Sequence, residues 1–470
     1  MTPKLFRSLL YYLATGLCIA GLAFVNHYPL VYSDSGAYIQ NAIRLYQVDD
    51  RPIGYGLIIR AVAWQGTLWT VVLFQGAVAS WLIMLLVREV VSDRARWLKA
   101  HLVLLTLLIL CSSLPWYAAQ IMADHFTPLV VLIAFLLFHG KGLGPWREGA
   151  LWILLFFFLS THNAHLPMAA VLVGVLLVTA MRKGVAGTAR SFWFRWAGFN
   201  MVIGGAALMT MLFTWSAHGQ MRLSRAGNVF LAGRLCEAGI MKDYLDEVCP
   251  APGNPLCPYK DDLPGDAGGM LWDTNGLPTR AQVTIGQADS LLAPVVSDVL
   301  SRPEFLVRYI RSGIVSTAVQ LFQWEAGSGL DQYGKGSSPY WNLEGKIPDE
   351  WYSYTHGRQQ WGYWTERSDA NRREAIALVL SLLVLALYRL DRKPGERTLL
   401  ASLTRWVALW IVLNAAVTSS VSVVDPRLQS RVMWLLPMVA FLVLVQQPSL
   451  RDFFRLGPGK VSANPGPRDE

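Results

Sequence analysis

Residues 67–87 read TLWTVVLFQGAVASWLIMLLV, a run without one charged side chain, and Arg88 follows at once. A straight helix needs about 20 apolar residues to cross the hydrocarbon core of a bilayer. This stretch alone therefore predicts a membrane span closed by a basic residue. Comparable runs flank it and predict spans near 8–25, 67–87, 100–117, 127–140, 149–161, 165–181, 197–217, 373–389, 400–420 and 431–447. Only 16% of the residues are charged, against about a quarter in a soluble domain, so much of the surface does not face water. The fold class expected is an all-α polytopic membrane protein of about ten transmembrane helices with a mixed extracytoplasmic segment.

The formal charge is +9, but its distribution argues against a nucleic-acid partner. The basic residues fall in short clusters between apolar runs: Arg88, Arg94, Arg96 and Lys99; Lys141 and Arg147; Arg182, Lys183, Arg190 and Arg195; Arg389, Arg392, Lys393 and Arg397; Arg451 and Arg455. With the N-terminus inside, all of them are cytoplasmic, while the loops 115–126 and 161–165, which hold no Lys or Arg, fall outside. Lys4 and Arg7 precede the first apolar run, which reads as an uncleaved helix because Asn26-His27-Tyr28 follows it and not a small-x-small cleavage site. No Asn-x-Ser/Thr acceptor occurs, which favours a bacterial inner membrane over a eukaryotic lumen.

These assignments divide the chain into an N-terminal transmembrane module, 1–217, whose first outside loop is 26–66; an extracytoplasmic, periplasmic domain, 218–372; C-terminal transmembrane helices, 373–447; and a cytoplasmic tail, 448–470. In the first outside loop Tyr38, Ile39, Ala42, Ile43 and Tyr46 repeat with helical spacing, Asp49-Asp50-Arg51-Pro52 interrupts, and Ile53, Leu57, Ile58 and Val62 begin a second amphipathic stretch. Two short helices lying on the membrane surface are expected. The 218–372 segment contains an expected helix near 291–323 and three cysteines, Cys236, Cys249 and Cys257. In an oxidising compartment one disulfide is expected, Cys249 with Cys257 being the simplest choice, although the spacing does not fix the pairing.

Five polar clusters stand at the outside ends of the spans. In Tyr32-Ser33-Asp34-Ser35-Gly36, Asp34 is placed either to act as a general base or to cap the helix that follows. In Arg51-Pro52-Ile53-Gly54-Tyr55-Gly56, Arg51 and Tyr55 sit in a rigid turn that could hold a phosphate or sugar hydroxyl, or simply turn the chain. In Asp124-His125-Phe126-Thr127-Pro128, Thr127 and Pro128 read as the N-cap and first turn of the next helix, presenting Asp124 and His125 above it. An acid bordering a membrane span is costly unless used or paired. His162 and His165 flank Asn163-Ala164; hydrogen bonding within the bundle is the expected role, and a divalent metal shared with Asp124 the alternative. In Asp425-Pro426-Arg427-Leu428-Gln429-Ser430-Arg431, Asp425 reads as an N-cap, with Arg427 and Arg431 one turn apart on one helix face. Such a pair suits a phosphate clamp; headgroup anchoring by snorkelling is the alternative.

Taken in order, these motifs resemble the GT-C glycosyltransferases, in the branch of the protein mannosyltransferases and aminoarabinose transferases. Ser33-Asp34-Ser35 with Arg51-Pro52-Ile53-Gly54-Tyr55-Gly56 is similar to that family's first loop, Asp124 with Thr127-Pro128 to its second acidic loop, and Asp425-Pro426-Arg427 through Arg431 and Pro437 to its Arg-rich approach to a C-terminal span. The likeness covers roughly residues 1–180 and 400–445. Ser35 stands where some members carry a second adjacent acid. The resemblance implies transfer of a sugar from a polyprenyl-phosphate donor to a lipid, glycan or protein acceptor outside the membrane. It implies Asp34 and Asp124 as catalytic residues, and Arg51, Tyr55, His125, His162, His165, Arg427 and Arg431 as substrate-binding residues. No cofactor is required, with a divalent metal as the option left open. Membrane lipids are the other expected partners. The competing classes are a non-enzymatic lipid or polysaccharide transporter or flippase, whose polar residues should continue through the midplane, and a membrane acyl- or phosphotransferase, which would need its own nucleophile or metal cluster.

Overall fold

The structure, a computed structural model, describes residues 3–63, 66–182, 184, 189–249, 253–274, 276–391, 398–450 and 453–454. The expected cytoplasmic tail, apart from its first few residues and 453–454, lies outside the described residues, as do Lys183, Arg392, Lys393 and Arg397 of the basic clusters. Among the described residues the chain is all-α. The single departure is an isolated parallel bridge between Leu30 and Gln120.

Every apolar run of the sequence forms a helix, but several are broken. The first runs as α1 (Pro3–Ile19) and α2 (Gly21–Asn26), and His27 closes α2 at φ +68°. The loop after it forms α3 (Ser35–Arg44) and α4 (Gly54–Val62), matching the two amphipathic stretches, with Tyr38, Ile39, Ala42, Tyr55, Ile58 and Ile59 turned inward. α5 (Trp69–Val90) crosses α1 so closely that a Cβ on Gly76 would lie 2.3 Å from the Gly16 carbonyl oxygen. Small residues permit this approach, which is how helices gain packing where no hydrophobic force drives them together. α6 (Trp97–Cys111) stops short of the expected 117 because Ser112 is extended, and the chain re-forms as α7 (Leu114–Ala118). After a 3-10 turn at Ala123–His125 come α8 (Phe126–His139), α9 (Pro145–Leu159), α10 (His165–Arg182) and α11 (Arg190–His218).

The expectation that Thr127 caps α8 is not met. His125 occupies the N-cap position and the helix begins at Phe126. The preceding 3-10 turn already carries the chain into helical geometry, so the Thr127 hydroxyl is released for a bond to His165 Nε2 at 2.8 Å.

The 218–372 segment supplies two packing units. α12 (Gly227–Glu237), α13 (Ile240–Val248), α14 (Ala267–Trp272), α15 (Leu277–Arg280) and α16 (Ile285–Ser301) surround their own core, which includes Val229, Leu235, Met241, Met270, Leu292 and Val296. The Cys249–Cys257 disulfide closes a loop in this unit, and Cys236 is free. The expected helix near 291–323 is two helices: α16 ends at Arg302, and Pro303 starts α17 (Pro303–Leu321), which packs along α21 (Leu399–Val421). Proline has no N–H to continue a helix but fits its first turn.

The later part of the segment, with α18 (Ser338–Lys346) and α19 (Pro348–Thr355), joins the main core instead. Glu350 accepts from Tyr28 Oη at 2.6 Å and from Thr67 Oγ1 at 2.5 Å. The Gln359 amide exchanges hydrogen bonds with the Val31 backbone, accepting from its N–H and donating to its carbonyl. The chain ends through α20 (Ser368–Leu390), α21, α22 (Pro426–Met433) and α23 (Leu435–Val445).

Among the described residues five helices are long and apolar enough to cross a membrane: Trp69–Val90, His165–Arg182, Arg190–His218, Leu399–Val421 and the joined Pro426–Val445. Leu5–Ile19 and Ala123–His139 are apolar but shorter.

Candidate functional site

Asp34 and Asp124 are far apart in sequence and are brought together by backbone pairing. Leu30 N–H donates to the Ala119 carbonyl at 2.9 Å, and Ile121 N–H donates back to the Leu30 carbonyl at 2.8 Å. The Ser35 hydroxyl adds a third link, donating to the Ile121 carbonyl at 2.8 Å. Gln75 of α5 holds the other side of this junction. Its amide N–H2 donates to the carbonyls of Ala118 and Gln120, and its Oε1 accepts from Tyr55 Oη at 2.7 Å.

The opposite wall comes from α22. Asp425 accepts from the Arg427 N–H at 2.7 Å and starts the helix at Pro426, as a cap should. Arg427 and Arg431 then project one turn apart. Tyr117 Oη donates to the Arg427 carbonyl at 2.6 Å, and Ser113 Oγ donates to the Ser430 carbonyl at 2.6 Å, fastening α22 to α7, the helix just before the turn that carries Asp124.

The result is one continuous ion network. Arg51 Nη2 meets Asp34 Oδ1 at 2.6 Å, and Arg51 Nη1 meets Asp50 Oδ2 at 3.1 Å. Arg427 Nη1 reaches Asp34 Oδ2 at 3.5 Å and Asp124 Oδ2 at 3.1 Å. Arg431 Nη1 donates to Asp124 Oδ1 at 2.5 Å. Three carboxylates face three guanidinium groups, so the network is formally neutral.

Burial separates its members. Asp124 and Arg431 are 0% exposed, whereas Asp34 and Arg427 keep 12% and Arg51 14%. Asp34 occupies the N-cap position of α3 but makes no capping bond, so its carboxylate is left to the two arginines. Arg427 lies over the Tyr32 ring, 4.0 Å from the centroid, and its Nε is buried without an acceptor. Arg431 is not open in this way. Its Nε and Nη2 both donate to Asn414 Oδ1, at 3.1 and 2.9 Å, while Nη1 is held by Asp124. The expected two-arginine clamp is thus reduced to one available guanidinium, Arg427, because an unpaired charge at the depth of Arg431 would be too costly.

The remaining expected site residues divide. Tyr55 is fully buried with its hydroxyl committed to Gln75 and its ring against Tyr38 at 5.0 Å. It does not reach the network. His125 hydrogen-bonds the Gln75 carbonyl through Nε2 at 3.0 Å and packs beside Phe126. Both ring nitrogens of His165 are occupied, Nδ1 by the Phe158 carbonyl at 2.7 Å and Nε2 by Thr127. These three are framework residues.

His162 differs. Its Nδ1 accepts from the Ala164 N–H at 3.1 Å, and its Nε2 lies 3.4 Å from Arg431 Nη1, a nitrogen that can only donate, at the edge of the network. Burial, with Arg431 next, pulls its pKa well below the ordinary imidazole value. His162 is therefore a neutral imidazole at the edge of the site. Asp50, in contact with Arg51, has its carboxyl pushed up by burial.

Asn414 and Gln75 belong to the site and carry no motif, while Tyr32, which opens the first polar cluster, joins it through its ring. Asn414 had one legible signal, a lone amide in the apolar run 400–420. Among the described residues no group of three or more His, Cys, Asp or Glu is placed to hold a metal ion. Compared with protein-family models, with curated proteins and with solved structures, the chain gives no match.

Proposed function

We propose that this chain is a GT-C-like membrane glycosyltransferase with about ten membrane passes in a bacterial inner membrane, moving a sugar from a polyprenyl-phosphate donor to an acceptor on the extracytoplasmic face. One observation carries the reading: Asp34, a carboxylate that caps nothing and keeps an open edge, stands against a guanidinium, Arg427, that also keeps an open edge. A base and an anion holder side by side are what displacement of a phosphate by a hydroxyl requires.

In the reaction Asp34 takes the proton of an acceptor hydroxyl. The acceptor oxygen bonds to the anomeric carbon as the bond from that carbon to the phosphate oxygen breaks. The departing polyprenyl phosphate keeps the electron pair, and Arg427 donates to its oxygens. Arg427 makes its longest contact with Asp34, to Oδ2 at 3.5 Å, so turning toward the phosphate frees that oxygen to take the proton at the moment of donor binding, while Arg51 keeps hold of Oδ1. Protonation of Asp34 leaves the network with one net positive charge while negative charge develops on the leaving group. Asp124 has no open edge and acts by holding Arg427 and Arg431.

The paired carboxylates and guanidinium groups of the network gather at one end of the bundle, which supports transfer chemistry over a flippase path. The test is the lipid retained by a purified Asp34→Asn variant, identified by mass spectrometry. A polyprenyl-phosphate sugar that the wild type turns over and the variant keeps is the expected result. A variant that carries no lipid-linked sugar, with a wild type that transfers none, sinks the proposal.

A further inference from the structure

The other end of the bundle carries a second concentration of cations. Along α5 the distance from Gln75, beside the network, to Arg88 is about 20 Å at 1.5 Å per residue. There Arg7, Ser8 and Tyr12 of α1, Arg88 of α5, and Arg94 and Trp97 at the start of α6 line a pocket of about 780 Å³.

Among the described residues none of the three guanidinium groups is ion-paired with a carboxylate. Of the nearby acids, Asp93, next to Arg94, accepts from the Ala95 N–H, Glu89 accepts from the Lys141 and Gly142 N–H groups, and Glu148 pairs with Arg195. Arg88 and Arg94 both stand over the face of Trp97, 5.4 and 5.7 Å from its centroid, and Trp97 is held by its own bond to the Val91 carbonyl. Arg88 Nε is buried without an acceptor.

A sidedness bias needs only basic residues near a helix end, as exposed side chains. It does not require three of them around one concavity, two on one indole, where their mutual repulsion is a cost. An anion removes that cost. Below the pocket α6 presents Leu98 and Leu102, one turn apart and 41% and 43% exposed, an apolar track leading away from the cations.

We infer that this pocket binds the phosphate of an anionic membrane lipid, with Arg7, Arg88 and Arg94 donating to the phosphate oxygens and the lipid's chains lying along Leu98 and Leu102. The site is separate from the carboxylate network and independent of the reaction proposed there.

The experiment is native mass spectrometry of the full chain in detergent, titrated with phosphatidylglycerol and with phosphatidylcholine of the same acyl chains. Thermal denaturation with and without each lipid accompanies it. Phosphatidylglycerol should bind at least about tenfold more tightly and raise Tm. Arg88→Gln should lose about ten- to hundredfold in phosphatidylglycerol affinity, the loss of a charge-assisted bond. Arg88→Lys should fall between, since an ammonium keeps the charge but not the planar fork. Arg147→Gln, a nearby arginine outside the pocket, should bind as wild type. Arg88→Lys retains charge and length, so it keeps the test open if Arg88→Gln fails to fold. Equal binding of the two lipids, or Arg88 variants that bind phosphatidylglycerol like wild type, overturns the inference. Inorganic phosphate that displaces phosphatidylglycerol at equal concentration assigns the site to a soluble phosphate and overturns its lipid half.

Discussion

Asp124 with Arg431 and Asp34 with Arg51 are both carboxylate–guanidinium pairs at near-ideal distance, 2.5 and 2.6 Å, yet they differ in kind. The first pair is sealed: both partners are 0% exposed, and Asn414 saturates the rest of the guanidinium. The second sits at the rim, and Asp34 shares its other oxygen with Arg427 at a longer distance. Distance alone would rank them equal. What separates them is whether a partner can leave without stranding a buried charge. A sealed pair fixes geometry; a rim pair can exchange one partner for a substrate. Arg427 bridges the two regions and is the residue through which the sealed pair positions the open one.

The comparison breaks first if the sealed pair is dispensable. Asp124→Ala leaves Arg431 buried without its anion and should destabilise the protein by about 3–5 kcal/mol, the cost of breaking a buried pair. Arg431→Met should do the same from the other side. Thermal denaturation of purified variants measures this. A Tm within a degree or two of wild type for both would show that the pair does not hold the site.

The rim pair should respond in the opposite way. Asp34→Asn should leave Tm nearly unchanged and lower turnover about 10²–10⁴-fold, the usual contribution of a general base. A folded variant with near-normal turnover would remove Asp34 from the mechanism. Arg427→Lys should weaken binding of polyprenyl phosphate about ten- to hundredfold, the equivalent of about 1.5–3 kcal/mol for one charge-assisted bond. An unchanged Kd would return Arg427 to headgroup anchoring.

Parts of this division were legible in the sequence and parts were not. Local signals carried well: the helical spacing of Tyr38, Ile39 and Ala42 gave α3, Asp425-Pro426 gave the start of α22, and Cys249 and Cys257 are the bonded pair. Each depends on residues within a few positions of one another. The breaks at Ala20, Ser112 and Trp434 were hidden because apolar composition continues across them, and a polar backbone group freed at a break can be satisfied by a distant partner. Ser113 shows this, with its N–H on Glu374 and its hydroxyl on the Ser430 carbonyl. The two roles of 218–372 were hidden for a similar reason: Gln359 and Glu350 read as ordinary surface residues until Val31, Tyr28 and Thr67 are placed beside them. In the site, residue type named Asp34, Asp124, Arg427 and Arg431, but exposure alone tells catalyst from support, and exposure is a tertiary property. Asn414 and Gln75 are the extreme case, amides whose importance lies wholly in the partners they meet.

His162 gives the finest division between rim and interior, because it touches Arg431 from the open side. Burial and the neighbouring guanidinium pull its pKa well below the ordinary value, so the folded protein disfavours its proton while the unfolded chain accepts one below about pH 6.5. The stability that depends on neutral His162 is therefore present above that pH and is lost as pH falls. His162→Gln cannot take up a proton, so between pH 7 and pH 5.5 its Tm should fall less than that of wild type. If His162→Gln and wild type lose the same Tm on acidification, His162 is already solvated, and the edge of the sealed region lies deeper, at Arg431 itself.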